Sequence, residues 1–152
     1  MALNQIRTVL VPVNGTNTDA EAVQFACSVA RRRKAKVFAI YVIEVKRSLP
    51  LDAEITTELE RGEQVLAYAE KMAHVADYEI ETELLQAREV GAAIVEDAAD
   101  RQVDVIVMGL QYKLRFGEYH LGNTVPYVMK NAHCRVWIVR EAITEMPGPR
   151  YT

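Results

Sequence analysis

Val37-Phe38-Ala39-Ile40-Tyr41-Val42-Ile43 is an unbroken apolar run, rich in β-branched residues. A run that is continuous rather than alternating reads as a strand covered on both faces, as in a parallel sheet packed between helices. Val9-Leu10-Val11-Pro12-Val13 before it and Val105-Ile106-Val107-Met108 after it read the same way. Tyr78 to Gln86 differs, because Ile80, Thr82 and Leu84 alternate with Glu79, Glu81 and Glu83. One face of that strand should meet water, which places it at a sheet edge. A last run, Cys134 to Arg140, holds Val136, Trp137, Ile138 and Val139.

Helical patterns lie between the strands. Thr18-Asp19-Ala20-Glu21 reads as a capping box, with Thr18 as N-cap and Glu21 reaching back to it. The helix it opens should bury Ala22, Val23, Ala26 and Ala30 and end in Arg31-Arg32-Arg33-Lys34, cations that the helix dipole favours there. A longer second helix has its apolar stripe on Ile55, Leu59, Leu66, Ala69, Ala73 and Ala76. Val90, Ala93, Ile94 and Ala98 mark a third, and Val125, Val128, Met129 and Ala132 a fourth, with Pro126 tolerated in its first turn. Strands that alternate with helices in this way imply an α/β fold: a single-domain, open, parallel sheet with helices on both faces. Residues 1–140 form that domain. Glu141 to Thr152, with Met146-Pro147-Gly148-Pro149, lacks periodicity and is expected to be an irregular tail.

Composition narrows the function. A chain of 152 residues buries about 70% of its unfolded surface and needs no staple. The two cysteines, Cys27 and Cys134, have no metal-ligand spacing and read as small core residues. A net charge of -3 supplies no excess to neutralise phosphates, so general nucleic-acid binding is excluded. No apolar run reaches the length of a membrane span, and no signal-peptide h-region follows Met1, so no membrane insertion and a cytoplasmic location are expected. His74, His120 and His133 share no ligand or triad spacing, and the chain has neither a Walker lysine motif nor a serine nucleophile elbow. With no catalytic base and no metal site, an enzyme is not expected.

In open parallel sheets, ligands bind beyond the carboxyl ends of the strands, near the point where strand order reverses. Two loops qualify: Asn14-Gly15-Thr16-Asn17-Thr18 and the stretch from Gly109 to Gly122. Glycine permits close backbone approach, and a helix N-terminus offers free amides to an anion. Lys113, Arg115, Phe116 and Tyr119 could add a basic, aromatic lip, or could simply pack their own loop.

The spacing of Gly109, Tyr112 and Gly122-Asn123 resembles the phosphate loop of the universal stress protein family. That loop runs glycine, two residues, glycine, nine residues, then glycine with serine or threonine. Val9 to Gly15, Ile40 to Glu44, Val105 to Gly109 and Cys134 to Val139 likewise resemble the family's strands, and the likeness runs from Thr8 to about Arg140. It implies a five-stranded parallel sheet of order 3-2-1-4-5. It also implies a regulatory protein with an adenine-nucleotide site for ATP, AMP or a cyclic dinucleotide. Carried over by position, that site comprises Pro12, Val13, Asn14, Val42, Met108, Gly109, Gly122, Asn123 and Thr124. Three positions depart from the pattern. Tyr112 fills the middle glycine slot, where a β-carbon in left-handed geometry costs about 1–2 kcal/mol. Asn123 replaces a hydroxyl, and Asn14 replaces an aspartate, keeping an acceptor but losing the charge.

Two readings stay open. One is a nucleotide-binding regulator; the other is a ligand-free dimeric interaction protein of the same fold that serves a transporter or another protein. Both expect a homodimer through Cys134 to Arg140, an edge strand with no proline, glycine or interior charge to discourage pairing. Trp137 would anchor that interface or pack under its own helices.

Overall fold

The computed structural model describes residues 5–111, 113–115, 118–120 and 122–142. The apolar runs form β1 (Thr8–Pro12), β2 (Lys36–Glu44), β3 (Glu81–Ala87), β4 (Val105–Leu110) and β7 (Arg135–Arg140). They line up as β3-β2-β1-β4-β7, with every neighbouring pair parallel. This is the expected five-stranded order, reversing direction of growth at β1. The helices are α1 (Thr18–Arg33), α2 (Thr56–Val75), α3 (Val90–Asp100) and α4 (Thr124–Asn131).

Strand side chains alternate between faces, which explains why the central runs are apolar throughout. Val9, Val11, Val37, Ala39, Val105 and Val107 join Ala22, Ala26, Ala69 and Ala73 in a core beneath α1 and α2. Leu10, Ile40, Ile106 and Met108 join Ile94, Ala98, Val125 and Val128 beneath α3 and α4. Each large aliphatic buried in this way contributes about 1.5–3 kcal/mol.

Four local expectations change. β3 starts at Glu81 rather than Tyr78, because its pairing with β2 begins at Phe38. The preceding Tyr78 donates its hydroxyl to the Ala35 carbonyl instead. In α4, Val125 and Val128 are buried but Met129 is exposed, since this short helix at the sheet margin covers only a narrow stripe. The stretch read as a loop contains β5 (Lys113–Arg115) paired antiparallel with β6 (Glu118–His120), outside the central sheet. The capping box does not form: Asn17 is the N-cap and makes no side-chain capping bond. Trp137, half-buried, packs edge-on against Phe25 of α1, with ring centroids 5.8 Å apart. Of the tail, only Glu141 and Ala142 fall within the described residues.

Candidate functional site

The turn between β1 and α1 is held by Asp19 rather than by a helix cap. Its two carboxylate oxygens accept the amides of Asn14 at 3.1 Å and Gly15 at 2.7 Å. At 4% exposure the group is buried, and burial pushes its carboxyl above the usual value while the two amides pull the other way. With a single methylene before its carboxylate, Asp19 reaches back to these amides from the first helical turn, whereas the longer Glu21 is exposed. Asn14 Oδ1 accepts from the Thr16 amide at 3.0 Å and from the Thr16 hydroxyl at 2.7 Å. The acceptor expected of Asn14 is therefore spent inside the turn, and its NH2 is the group left to donate.

Across the switch point, Gly109 near the end of β4 faces the start of α1. A β-carbon there would lie 2.6 Å from Thr18 Oγ1, 2.8 Å from Thr18 Cβ and 3.0 Å from the Thr18 carbonyl oxygen. Gly109 is thus required by strand-to-helix packing. Gly122 is required for a different reason: its φ is +72°, with no heavy atom close to where a β-carbon would sit. It turns the chain into Asn123 and Thr124, where α4 begins and the first intrahelical bond runs from the Tyr127 amide to the Asn123 carbonyl. The amides ahead of that bond have no helical partner.

These loops enclose a cleft of about 700 Å³ at the carboxyl ends of β1, β2 and β4. Pro12, Val13, Asn14, Val42, Met108, Gly109, Gly122, Asn123 and Thr124 all line it. Its volume falls within the range of small-molecule sites. Pro12 and Val42 give the cleft an apolar wall over β1 and β2, Val13 lines it while belonging to the core beneath α1 and α2, and the α4 N-terminus lies on the β4 side.

Sequence reasoning did not assign Asp19, Glu44, Glu89, Gly91 or Tyr127 to this site, yet all five line the cleft. Gly91, at the start of α3, lets Tyr127 close in; a β-carbon there would meet the ring at 2.9 Å. Glu44 was visible as the polar residue that ends the decisive apolar run, but Glu89 carries no local signal. Among the described residues lining the cleft there is no lysine, arginine or histidine, while Asp19, Glu44 and Glu89 supply three carboxylates. Tyr112, in the glycine slot, and Phe116 of the expected lip lie outside the described residues. Among the described residues no helix is long and apolar enough to cross a membrane, and no cluster of three His, Cys, Asp or Glu could hold a metal.

Comparison with known proteins agrees with this architecture. The chain is 34% identical over 144 residues to a universal stress protein of Methanocaldococcus jannaschii, covering 91% of this chain and 84% of the relative. It is 27% identical over 134 residues to part of a Na(+)/H(+) antiporter of Synechocystis, covering 88% of this chain and 19% of the antiporter. The structure of the universal stress protein from Archaeoglobus fulgidus in complex with dAMP superposes with a TM-score of 0.68 at 19% identity, covering 88% of this chain and 96% of that one. The family model of the universal stress proteins matches residues 5–140, and with the Methanocaldococcus relative this establishes that the chain belongs to the universal stress protein family.

Proposed function

We propose that the chain is a regulatory protein that binds an adenine nucleotide in the cleft above β1, β2 and β4, without catalysis. The observation that carries this reading is the meeting of an apolar wall and a helix N-terminus in one cleft of about 700 Å³. The base lies against Pro12, Val13 and Val42. The phosphate meets the backbone at Gly109, Gly122, Asn123 and Thr124, where free amides and the helix dipole favour an anion. Asn14 donates its NH2 to the ligand between these two ends. The dAMP bound by the Archaeoglobus protein of the same fold supports an adenine ligand. Identifying small molecules released from the denatured protein by mass, followed by calorimetry with AMP, ATP and a cyclic dinucleotide, tests the proposal. An adenine nucleotide in the released fraction is expected. Its absence, together with no heat from any of the three at millimolar concentration, would overturn the assignment.

The assembly proposed is a cytoplasmic homodimer through β7. Among the described residues that strand has a ladder partner only in β4, leaving its other edge open, and its Trp137 packs against Phe25 of α1. Light scattering after gel filtration should give twice the chain mass, and Ile138→Lys should give the mass of one chain. A wild-type monomer at micromolar concentration would end this proposal. The antiporter segment favours a second reading, in which the domain regulates a transporter as a separate subunit and the cleft is incidental.

A further inference from the structure

Glu44 and Glu89 are the part of the cleft that the nucleotide reading does not use. Glu44 ends β2, aligned with Ala87 on β3, and Glu89 follows two residues beyond Ala87. Both residues line the cleft and both are exposed. Neither carboxylate has a hydrogen-bond or ion-pair partner among the described residues, whereas nearby Glu83 is paired with Arg101. Two long acidic side chains at the border of a ligand-sized cleft, without partners among the described residues, are available to the ligand.

Their place in the strand order decides what they would meet. The α4 N-terminus follows β4, the apolar wall belongs to β1 and β2, and the two glutamates stand at the ends of β2 and β3. From β4 to β2 is two strand spacings, roughly 10 Å. That distance is comparable with an extended nucleoside monophosphate measured from its phosphate to the far edge of its base. A phosphate at α4 is repelled by carboxylates and so is oriented away from them. The far edge of the base is then brought to Glu44 and Glu89. An ionised carboxylate accepts hydrogen bonds and donates none. A base edge carrying an amino group satisfies it, and a base edge without a donor leaves it facing nothing.

Resting on the nucleotide reading above, we propose that Glu44 and Glu89 accept a hydrogen bond from the exocyclic amino group of the base and so select an amino-bearing purine. The test compares AMP with purine riboside 5′-monophosphate, which has hydrogen in place of the amino group, by calorimetry on the full chain. Wild type is expected to bind AMP about tenfold more tightly, the usual worth of one charge-assisted hydrogen bond at a partly open site. In the double variant Glu44→Ala/Glu89→Ala the gap should fall below about threefold, which is within reach of pure packing differences. Since both residues are exposed, the variant should melt with wild type. Equal affinities in wild type, or a gap that survives in the double variant, would overturn the role of the glutamates while leaving the nucleotide site standing. Binding of neither compound by wild type would overturn the site and this inference together.

Discussion

Replacing Asp19 with asparagine probes the junction that supports the cleft. The two side chains have the same shape, but asparagine turns one of the two acceptor oxygens into a donor. Either orientation of the amide leaves its NH2 against the Asn14 or the Gly15 amide, now held at 3.1 and 2.7 Å by oxygen. One hydrogen bond to a charged group is lost, about 1.5–3 kcal/mol in gross terms. Relief from burying the carboxylate offsets part of this. A net destabilisation of about 1–2 kcal/mol at pH 7 is expected, lowering the melting temperature by about 2–8 °C for a domain of this size. The pH dependence carries a definite sign. Burial raises the Asp19 pKa above the ordinary value of an aspartate, so over the window just above that ordinary value the folded state holds a proton that the unfolded chain has released. Wild-type stability from this group therefore falls as pH rises through that window, and the variant lacks this slope. The deficit of Asp19→Asn should be larger near pH 4 than at pH 7, measured by urea unfolding at both. A variant as stable as wild type would show that the turn does not depend on these bonds, and a deficit that grows with pH would show that the amides outweigh burial.

Gly109→Ala forces a β-carbon to within 3 Å of atoms of Thr18, including its backbone oxygen, and should cost about 1–3 kcal/mol in urea unfolding by overpacking; a cost under about 0.5 kcal/mol would refute the close approach. Cys27 is fully buried and its thiol is pushed up to about 11 by burial, against the opposing charge of Arg31. In a Cys134→Ser background at pH 8, Cys27 should therefore react with a disulfide reagent only as fast as the domain opens; rapid labelling of the folded protein would contradict this. Arg88 Nη1 donates to the carbonyls of Lys46 at 2.7 Å and Leu49 at 2.9 Å, strapping the segment after β2. Arg88→Ala should make residues 46–52 the first site of limited proteolysis, with the melting temperature little changed. Unaltered cleavage would show that Gln86, which donates to the carbonyls of Leu51 and Ala53, holds the segment alone.

The amino-acid sequence by itself determined the layered architecture, because burial on two faces writes itself as continuous apolar runs. Val37 to Ile43 and Val105 to Met108 could be read without knowing their neighbours, and the glutamates alternating through β3 marked an edge. The two loops that border the cleft were also legible, since loops after β1 and β4 meet where the strand order reverses, while the individual positions came from the family resemblance. What those residues do within the cleft was decided only in three dimensions. Asp19 resembled a member of a capping box, yet its carboxylate serves the preceding turn, a competition between nearby acceptors that a local pattern does not rank. Gly109 was read as a site of ligand approach, and the fold adds a packing role, since a side chain there would strike Thr18 of α1. Asn14 looked like an acceptor, until Thr16 occupied its oxygen. Glu44 and Glu89 are 45 positions apart in the chain and come together only because β2 and β3 pair in register. Local propensity and periodicity are properties of neighbours in sequence, whereas the polar partners of a cleft are set by contacts between segments that only the closed sheet brings together.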